Sequence, residues 1–144
     1  MARSFRLLEV FLLVSFLLAG AAIQAAGNEL AGTYRVEQVT DLGSAMRVTL
    51  HIHLVNNTFQ DLTVTQVSLR DLRQQGKTEA VAWGTRLQPR EGTTVEHDFV
   101  ISRAEYESWG KGVRPRVQVG FQPAGGREVL RTIQLMPLAA RRQP

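Results

Sequence analysis

"MRVTLHIHLVNNT", Met46 to Thr58, decides the fold. Met46, Val48, Leu50, Ile52 and Leu54 take every second position, with Arg47, Thr49, His51 and His53 between them. Side chains of a strand leave alternately from its two faces, so a period of two marks a half-buried β-strand. Its apolar face turns inward, and both histidines turn outward. "NNT" then supplies turn residues, whose short polar side chains hydrogen-bond their own backbone.

Working outward from this strand, the same signature recurs along the chain. "TYRVEQVT" (33–40) precedes it across the turn "DLGS", and "FQDLTVTQVSLRDL" (59–72) follows it. "EAVAWGTRL" (79–87), "TTVEHDFVIS" (93–102), "RVQVGFQ" (116–122) and "REVLRTIQL" (127–135) complete a set of seven, separated by "QQGK", "QPREG" and "PAGG". Short strands at this spacing, divided by Gly and Pro signals, predict a single antiparallel sandwich. In the third strand Leu62 and Val64 share one phase and Val67 and Leu69 the other. A bulge at Thr65–Gln66, or a switch of sheets, restores the register. An edge position is the usual setting for such a feature, and an open edge could instead accept a partner's strand. Trp83, in phase with Val81 and Leu87, is a candidate core residue.

One segment breaks the pattern. "SRAEYESWGKG" (102–112) opens on Ser102 with Glu105 three residues later, the spacing of a capping box, and Gly110 is placed to end a short helix. This helix falls before the last two strands. It sets Tyr106 and Trp109 three residues apart on one side. They serve either as an aromatic plug over the end of the core or as a stacking platform for a ligand, and the plug is the simpler reading.

The chain of 144 residues contains no cysteine, 44% hydrophobic and 21% charged residues. Its size suits one domain. The missing thiol excludes disulfides, thiolate metal sites, cysteine nucleophiles and lipidation at cysteine. Residues 1–25 carry Arg3 and Arg6, an apolar run from Val10 to Ile23 and small residues at Ala25 and Ala26, the order of a Sec-type signal peptide cleaved after Ala25. The run is shorter than the ~20 residues of a spanning helix. An uncleaved signal helix acting as a membrane anchor is the alternative. "LLAGA" has Ala21 where a lipoprotein would carry its lipid-bearing cysteine. The domain proper is then 26–138, and 139–144 is a flexible tail. The expected location is periplasmic or secreted, without lipid, and the membrane is a partner only if the signal stays.

The net charge is +4 for the whole chain, and 15 basic against 12 acidic residues remain after the signal is removed. An exported chain does not meet cytoplasmic nucleic acid, so a basic balance points instead to anionic polymers or to nothing specific. Lys111, Arg114 and Arg116 in "GKGVRPR", with Arg70 and Arg73 in "SLRDLR", would form a basic patch if their loops met. Glu105, Glu107 and Asp71 lie nearby and argue for a charge-balanced surface. Asn56-Asn57-Thr58 is a glycosylation acceptor by pattern, and a turn using Asn side chains explains it equally.

His51 and His53 suggest a metal site, because His-x-His on one strand face is a common ligand pair. A metal needs three or four donors converging at about 2 Å. The third histidine, His97, shares the phase of Val95, Phe99 and Ile101 and so turns toward the core or its rim. A weak surface site at His51 and His53 is all that remains, and no cofactor is expected. His97 and Asp98 are strand neighbours and point to opposite faces, so they cannot form the imidazole–carboxylate pair of a hydrolase. No nucleophile elbow, phosphate loop or zinc-protease helix occurs. The chain is not expected to be an enzyme.

Two segments, "RVTLHIHLVNNTFQDLTVTQVSLRD" and "HDFVISRAEYESWGKGVRPRVQVGFQ", resemble the immunoglobulin-like sandwiches of exported bacterial proteins. The likeness covers about residues 33 to 136. It implies a non-catalytic module working through protein–protein or structural contacts in the envelope or outside the cell. A contact surface at Tyr106, Trp109, Lys111, Arg114 and Arg116 would fit such a role. The alternative function is ligand binding, of an anionic glycan or polymer by the basic loops, or of a metal by His51 and His53.

Overall fold

The computed structural model describes residues 28–73 and 76–138. The signal segment and the tail expected from the sequence lie outside the described residues. Nine strands and one helix form an all-β sandwich: β1 (Leu30–Asp41), β2 (Ala45–Asn56), β3 (Leu62–Asp71), β4 (Gly76–Lys77), β5 (Val81–Leu87), β6 (Gly92–Ser102), α1 (Arg103–Gly110), β7 (Arg116–Pro123), β8 (Val129–Gln134) and β9 (Met136–Pro137). The seven strands read from the sequence are β1, β2, β3, β5, β6, β7 and β8. The other two are two-residue pairings.

One sheet runs β6-β2-β1-β9, and the other runs β4-β3-β7-β8 with β5 also paired to β3. All pairings are antiparallel except β1 with β9, where the chain crosses between sheets after β8. Leu135 makes that crossing fully buried, and its N–H donates to the Pro115 carbonyl at 2.8 Å.

The core follows from the alternation that opened the sequence. Val48, Leu50, Ile52 and Leu54 of β2 are all 0% exposed, facing Val64, Val67, Leu69, Val117 and Val119 of the other sheet. Each such side chain removed from water contributes roughly 1.5–3 kcal/mol, which the conformational entropy of ordering the chain largely offsets. Trp83 packs against this core, partly buried, as its phase requires.

The register slip in the third strand is a bulge: β3 shifts between Val64 and Gln66 against both neighbours. It restores the inward phase, so Leu62, Val64, Val67 and Leu69 are all buried. The expectation of an edge strand is corrected, because β3 lies between β5 and β7.

Helix α1 begins as its sequence demands, and its closing left-handed residue lies two positions past Gly110. Ser102 is the N-cap, its Oγ accepting from the Glu105 N–H at 3.1 Å. The reciprocal half of the capping box is replaced. Glu105, 1% exposed, turns its carboxylate to the indole N–H of Trp109 at 3.2 Å, and the Ser102 N–H donates instead to Asp71. Gly110 is the last helical residue, and the left-handed residue that closes the end is Gly112. Gly112 has φ +93, and the Val113 and Gly112 N–H groups close on the carbonyls of Ser108 and Trp109. That pair of bonds is a Schellman motif, whose left-handed residue carries no penalty only when it is glycine.

Asn56 decides the glycosylation question. It is 0% exposed, its Nδ2 donates to the carbonyls of Gln60 (2.9 Å) and Leu87 (3.2 Å), and its Oδ1 accepts from the Thr58 N–H and hydroxyl. The side chain is the internal brace of the β2–β3 turn, not a sugar acceptor. Phe59 at the tip of this turn is 95% exposed.

The β1–β2 turn is tied to the helix start. Arg103 donates through Nε to the Gly43 carbonyl at 2.8 Å and through Nη2 to Asp41. The hydrogen bond from Arg103, helped by the Gly43 N–H, holds the Asp41 carboxyl below the usual carboxylate range. Its stabilising share is present above the unfolded carboxylate pKa of about 3.9 and is lost as pH falls through the lower folded value. A carbon-detected NMR titration is therefore expected to place the Asp41 midpoint below the ordinary aspartate value of about 3.9. A midpoint at that value would remove the tie.

Candidate functional site

Sheet edges carry unpaired backbone groups, so each edge strand needs either a device that discourages pairing or a partner. Among the described residues, three of the four edges have such a device. β5 is kinked at Gly84, whose φ is +60, and its pairing with β3 is irregular there. β1 has a register shift between Val36 and Gln38 and is partly covered by β9. β8 is six residues long and carries Arg131 opposite Val119, an inward-phase cation that reaches Glu29.

β6 is the exception. Its 11 residues pair with β2 in unbroken register from Ala45↔Ser102 to Val55↔Gly92, without a bulge, proline or lysine. It ends its sheet, and among the described residues no backbone hydrogen bond reaches its far side between Thr93 and Ile101. The core is also thin there. Leu50 is fully buried, yet its cross-strand neighbour His97 is exposed, with its ring edge-on to Phe99 at 5.1 Å. His97 thus occupies the rim of the inner face and not the core.

On the outer face, β2 and β6 are laced together by side chains. The Thr49 hydroxyl donates to Asp98 Oδ1 (2.6 Å), His51 Nε2 meets Glu96 Oε2 (2.6 Å) and His53 Nδ1 meets the Thr94 hydroxyl (2.7 Å). Both histidines look outward, as their phase requires. The carboxylates around His51 do not converge: Glu96 is on Nε2 and Glu37 is 3.7 Å from Nδ1, the other ring nitrogen. Among the described residues no group of three or more His, Cys, Asp or Glu is placed to hold a metal ion. Asp98 engages Thr49 on this face while His97 lies on the other, so the two share no hydrogen bond.

The helix end is built as a plug. Trp109 stands edge-on to both Tyr106 (6.0 Å) and Tyr34 (6.4 Å), and all three rings pack against the core. Burial pushes the Tyr34 phenol above its ordinary value, with the nearby Arg114 guanidinium acting in the opposite sense. Tyr34 was not singled out in the sequence; its inward phase with Leu30 and Gly32 is the signal that could have found it. Asp71 anchors the whole end. Buried to 4% exposure, it accepts from the Ser102 N–H (2.7 Å), the Ser102 hydroxyl (3.0 Å) and the Arg73 N–H (3.1 Å).

The basic residues divide among three places. Lys111 is the helix C-cap, and Arg114 reaches Met136 Sδ beside Tyr34. Arg116 stands directly opposite Arg70 on the outer face of the second sheet. Only this last pair is brought together as a patch. β6 is legible in the sequence as a strand but not as an edge.

The geometry defines a class, an all-β sandwich with one unprotected edge. The chain matches no protein-family model and no curated protein. Three solved structures align with most of it at low similarity. One is the X-ray structure of Northeast Structural Genomics Consortium target SoR45, at 10% identity over 82% of this chain and 96% of that one, with a TM-score of 0.47. The others are a protein from Archaeoglobus fulgidus (12% identity, 76% and 98% covered, TM-score 0.32) and a FixG-related protein from Vibrio parahaemolyticus (9%, 78% and 99%, TM-score 0.31). At these scores none of the three supports a statement about function.

Proposed function

We propose that this chain is an exported, non-catalytic sandwich module of the immunoglobulin-like kind that works by protein contact, taking an extended segment of an envelope or extracellular protein against β6. The observation that carries the reading is the contrast between β6 and the other edges. A regular strand whose outer N–H and C=O groups are unpaired among the described residues, without a bulge, proline or lysine, has the geometry used by strand addition, where main-chain bonds supply affinity and alternate side chains supply specificity. The sheet order, with β1, β2 and β6 facing β3, β7 and β8, fits an immunoglobulin-like domain. The signal-like segment 1–25 supports export to the periplasm or beyond. The aromatic end at Tyr106 and Trp109 contributes little to contact in this reading, because its rings are committed to the core.

A second reading rests on Arg70 and Arg116. Like charges directly opposite on neighbouring strands are unfavourable, and among the described residues neither guanidinium has an acidic partner. An anionic polymer lying on this face would relieve them. Crosslinking in the native cells from a photoreactive residue on β6 separates the two readings: one dominant protein adduct is expected from that strand. A chain that crosslinks to nothing there, yet is retained by a polyanion, belongs to the second.

A further inference from the structure

The side chains flanking the open edge say what kind of segment fits it, given the strand-addition reading. Thr94, Glu96, Asp98 and Val100 share the outer face of β6, and each would stand directly beside a side chain of an added strand. Glu96 and Asp98 are both exposed, and their links to His51 and Thr49 lie on the β2 side, away from the open edge. Arg47, the one Lys or Arg of β2, is opposite Val100 and therefore a strand further in. The edge thus presents two adjacent carboxylates and no positive charge of its own. The inner face offers the half-buried Val95 and the exposed ring of His97, beside the buried Phe99, and these call for apolar neighbours.

We infer that the segment received by β6 alternates Lys or Arg with apolar residues, the cations lying beside Glu96 and Asp98. The same geometry disfavours a second copy of this chain as the occupant. In antiparallel self-pairing centred on His97, Glu96 of one copy faces Asp98 of the other twice over. Centring on Glu96 or on Asp98 sets that carboxylate against itself. Opposite charges across strands are favourable and like charges are not.

Fluorescence-monitored titration of the full chain with three eleven-residue peptides tests this. All carry valine in one phase, and the other phase is lysine, threonine or glutamate. The lysine peptide is expected to bind about tenfold tighter than the threonine peptide, with the glutamate peptide weakest. Its advantage should shrink as salt rises from about 50 to about 500 mM, since exposed charges are screened. The double variant Glu96→Lys with Asp98→Lys should invert the order, and the salt series on the unaltered chain keeps the test decisive if that variant does not fold. Equal binding of the lysine and threonine peptides overturns the charge rule while leaving strand addition standing. Binding of the lysine peptide that the double variant does not alter places it elsewhere and overturns the inference. Failure of all three peptides removes the strand-addition reading itself.

Discussion

Asp71→Ala is expected to lower the unfolding free energy by about 2–4 kcal/mol, and the melting temperature by on the order of 10–20 °C. Asp71 is 4% exposed and receives the Ser102 N–H, the Ser102 hydroxyl and the Arg73 N–H. Hydrogen bonds to an ionised acceptor are about twice as strong as neutral ones. Truncation also strands the Ser102 N–H at a site that is only 7% exposed, and an orphaned buried donor costs more than the bond was worth. The cost of burying the carboxylate, returned on truncation, sets the upper limit. The effect reaches beyond β3. Ser102 is the N-cap of α1, so loosening it frees the helix and with it the Tyr34–Trp109–Tyr106 contact. Chemical denaturation gives the magnitude, and quenching of tryptophan fluorescence reports the helix. Asp71→Asn, which keeps one acceptor, should lose about half as much. An Asp71→Ala chain as stable as the parent would show that Ser102 is held by other means.

Asn56→Asp is the second large effect, and its size comes from two atoms. The substitution keeps the shape but exchanges a donor for an acceptor at a position with 0% exposure. The carbonyls of Gln60 and Leu87, now 2.9 and 3.2 Å from the amide nitrogen, would face carboxylate oxygen instead. Two repelling contacts and a desolvated charge are expected to cost more than about 3 kcal/mol, exceeding Asn56→Ala, which leaves the carbonyls merely unpaired. Denaturant titration of both variants checks the order. Its reversal would mean that the turn opens to water and Asn56 is not its brace.

What the sequence revealed, and what it withheld, divides along the range of the forces involved. Strands appear through alternation within a few residues, and the five apolar positions of β2 are legible in isolation. The N-cap at Ser102 is equally local. The helix end at Gly110 is legible too, but which glycine takes the left-handed conformation is not, and only the closing bonds to Ser108 and Trp109 select Gly112. The bulge in β3 announced itself by its slipped phase, yet its position in the sheet did not. Which strands lie beside β3 depends on pairings as distant as Leu62 with Pro123. The openness of β6 is hidden for the same reason, since "TTVEHDFVIS" is a good strand whether or not something covers it. Likewise the Asp71–Ser102 tie joins residues 31 apart and on different sheets. His97 shows the limit of phase alone: it has the inward phase, but the sheet extends past the core that would bury it.

The chemistry of the outer face was half visible. Phase placed His51 and His53 outward, but the carboxylate and hydroxyl that occupy them come from β6, about 40 residues further on. The His51–Glu96 bond, with the Thr49–Asp98 bond beside it, holds the two acids of β6 against β2. Sequence-local reasoning saw two outward histidines and at most a weak metal site, whereas the paired strands show a laced face whose exposed acids engage β2.

Site-specific photocrosslinking in the native cells tests the role of β6 most directly, with the reactive residue placed in turn at His97, at Val100 and, for contrast, at Leu130 on β8. His97 and Val100 flank the unpaired backbone on its two faces, and all three side chains are exposed. One partner captured from both β6 positions and not from Leu130 is the expected result. Capture from Leu130 alone, or recovery of only the uncrosslinked chain from His97 and Val100, would contradict it.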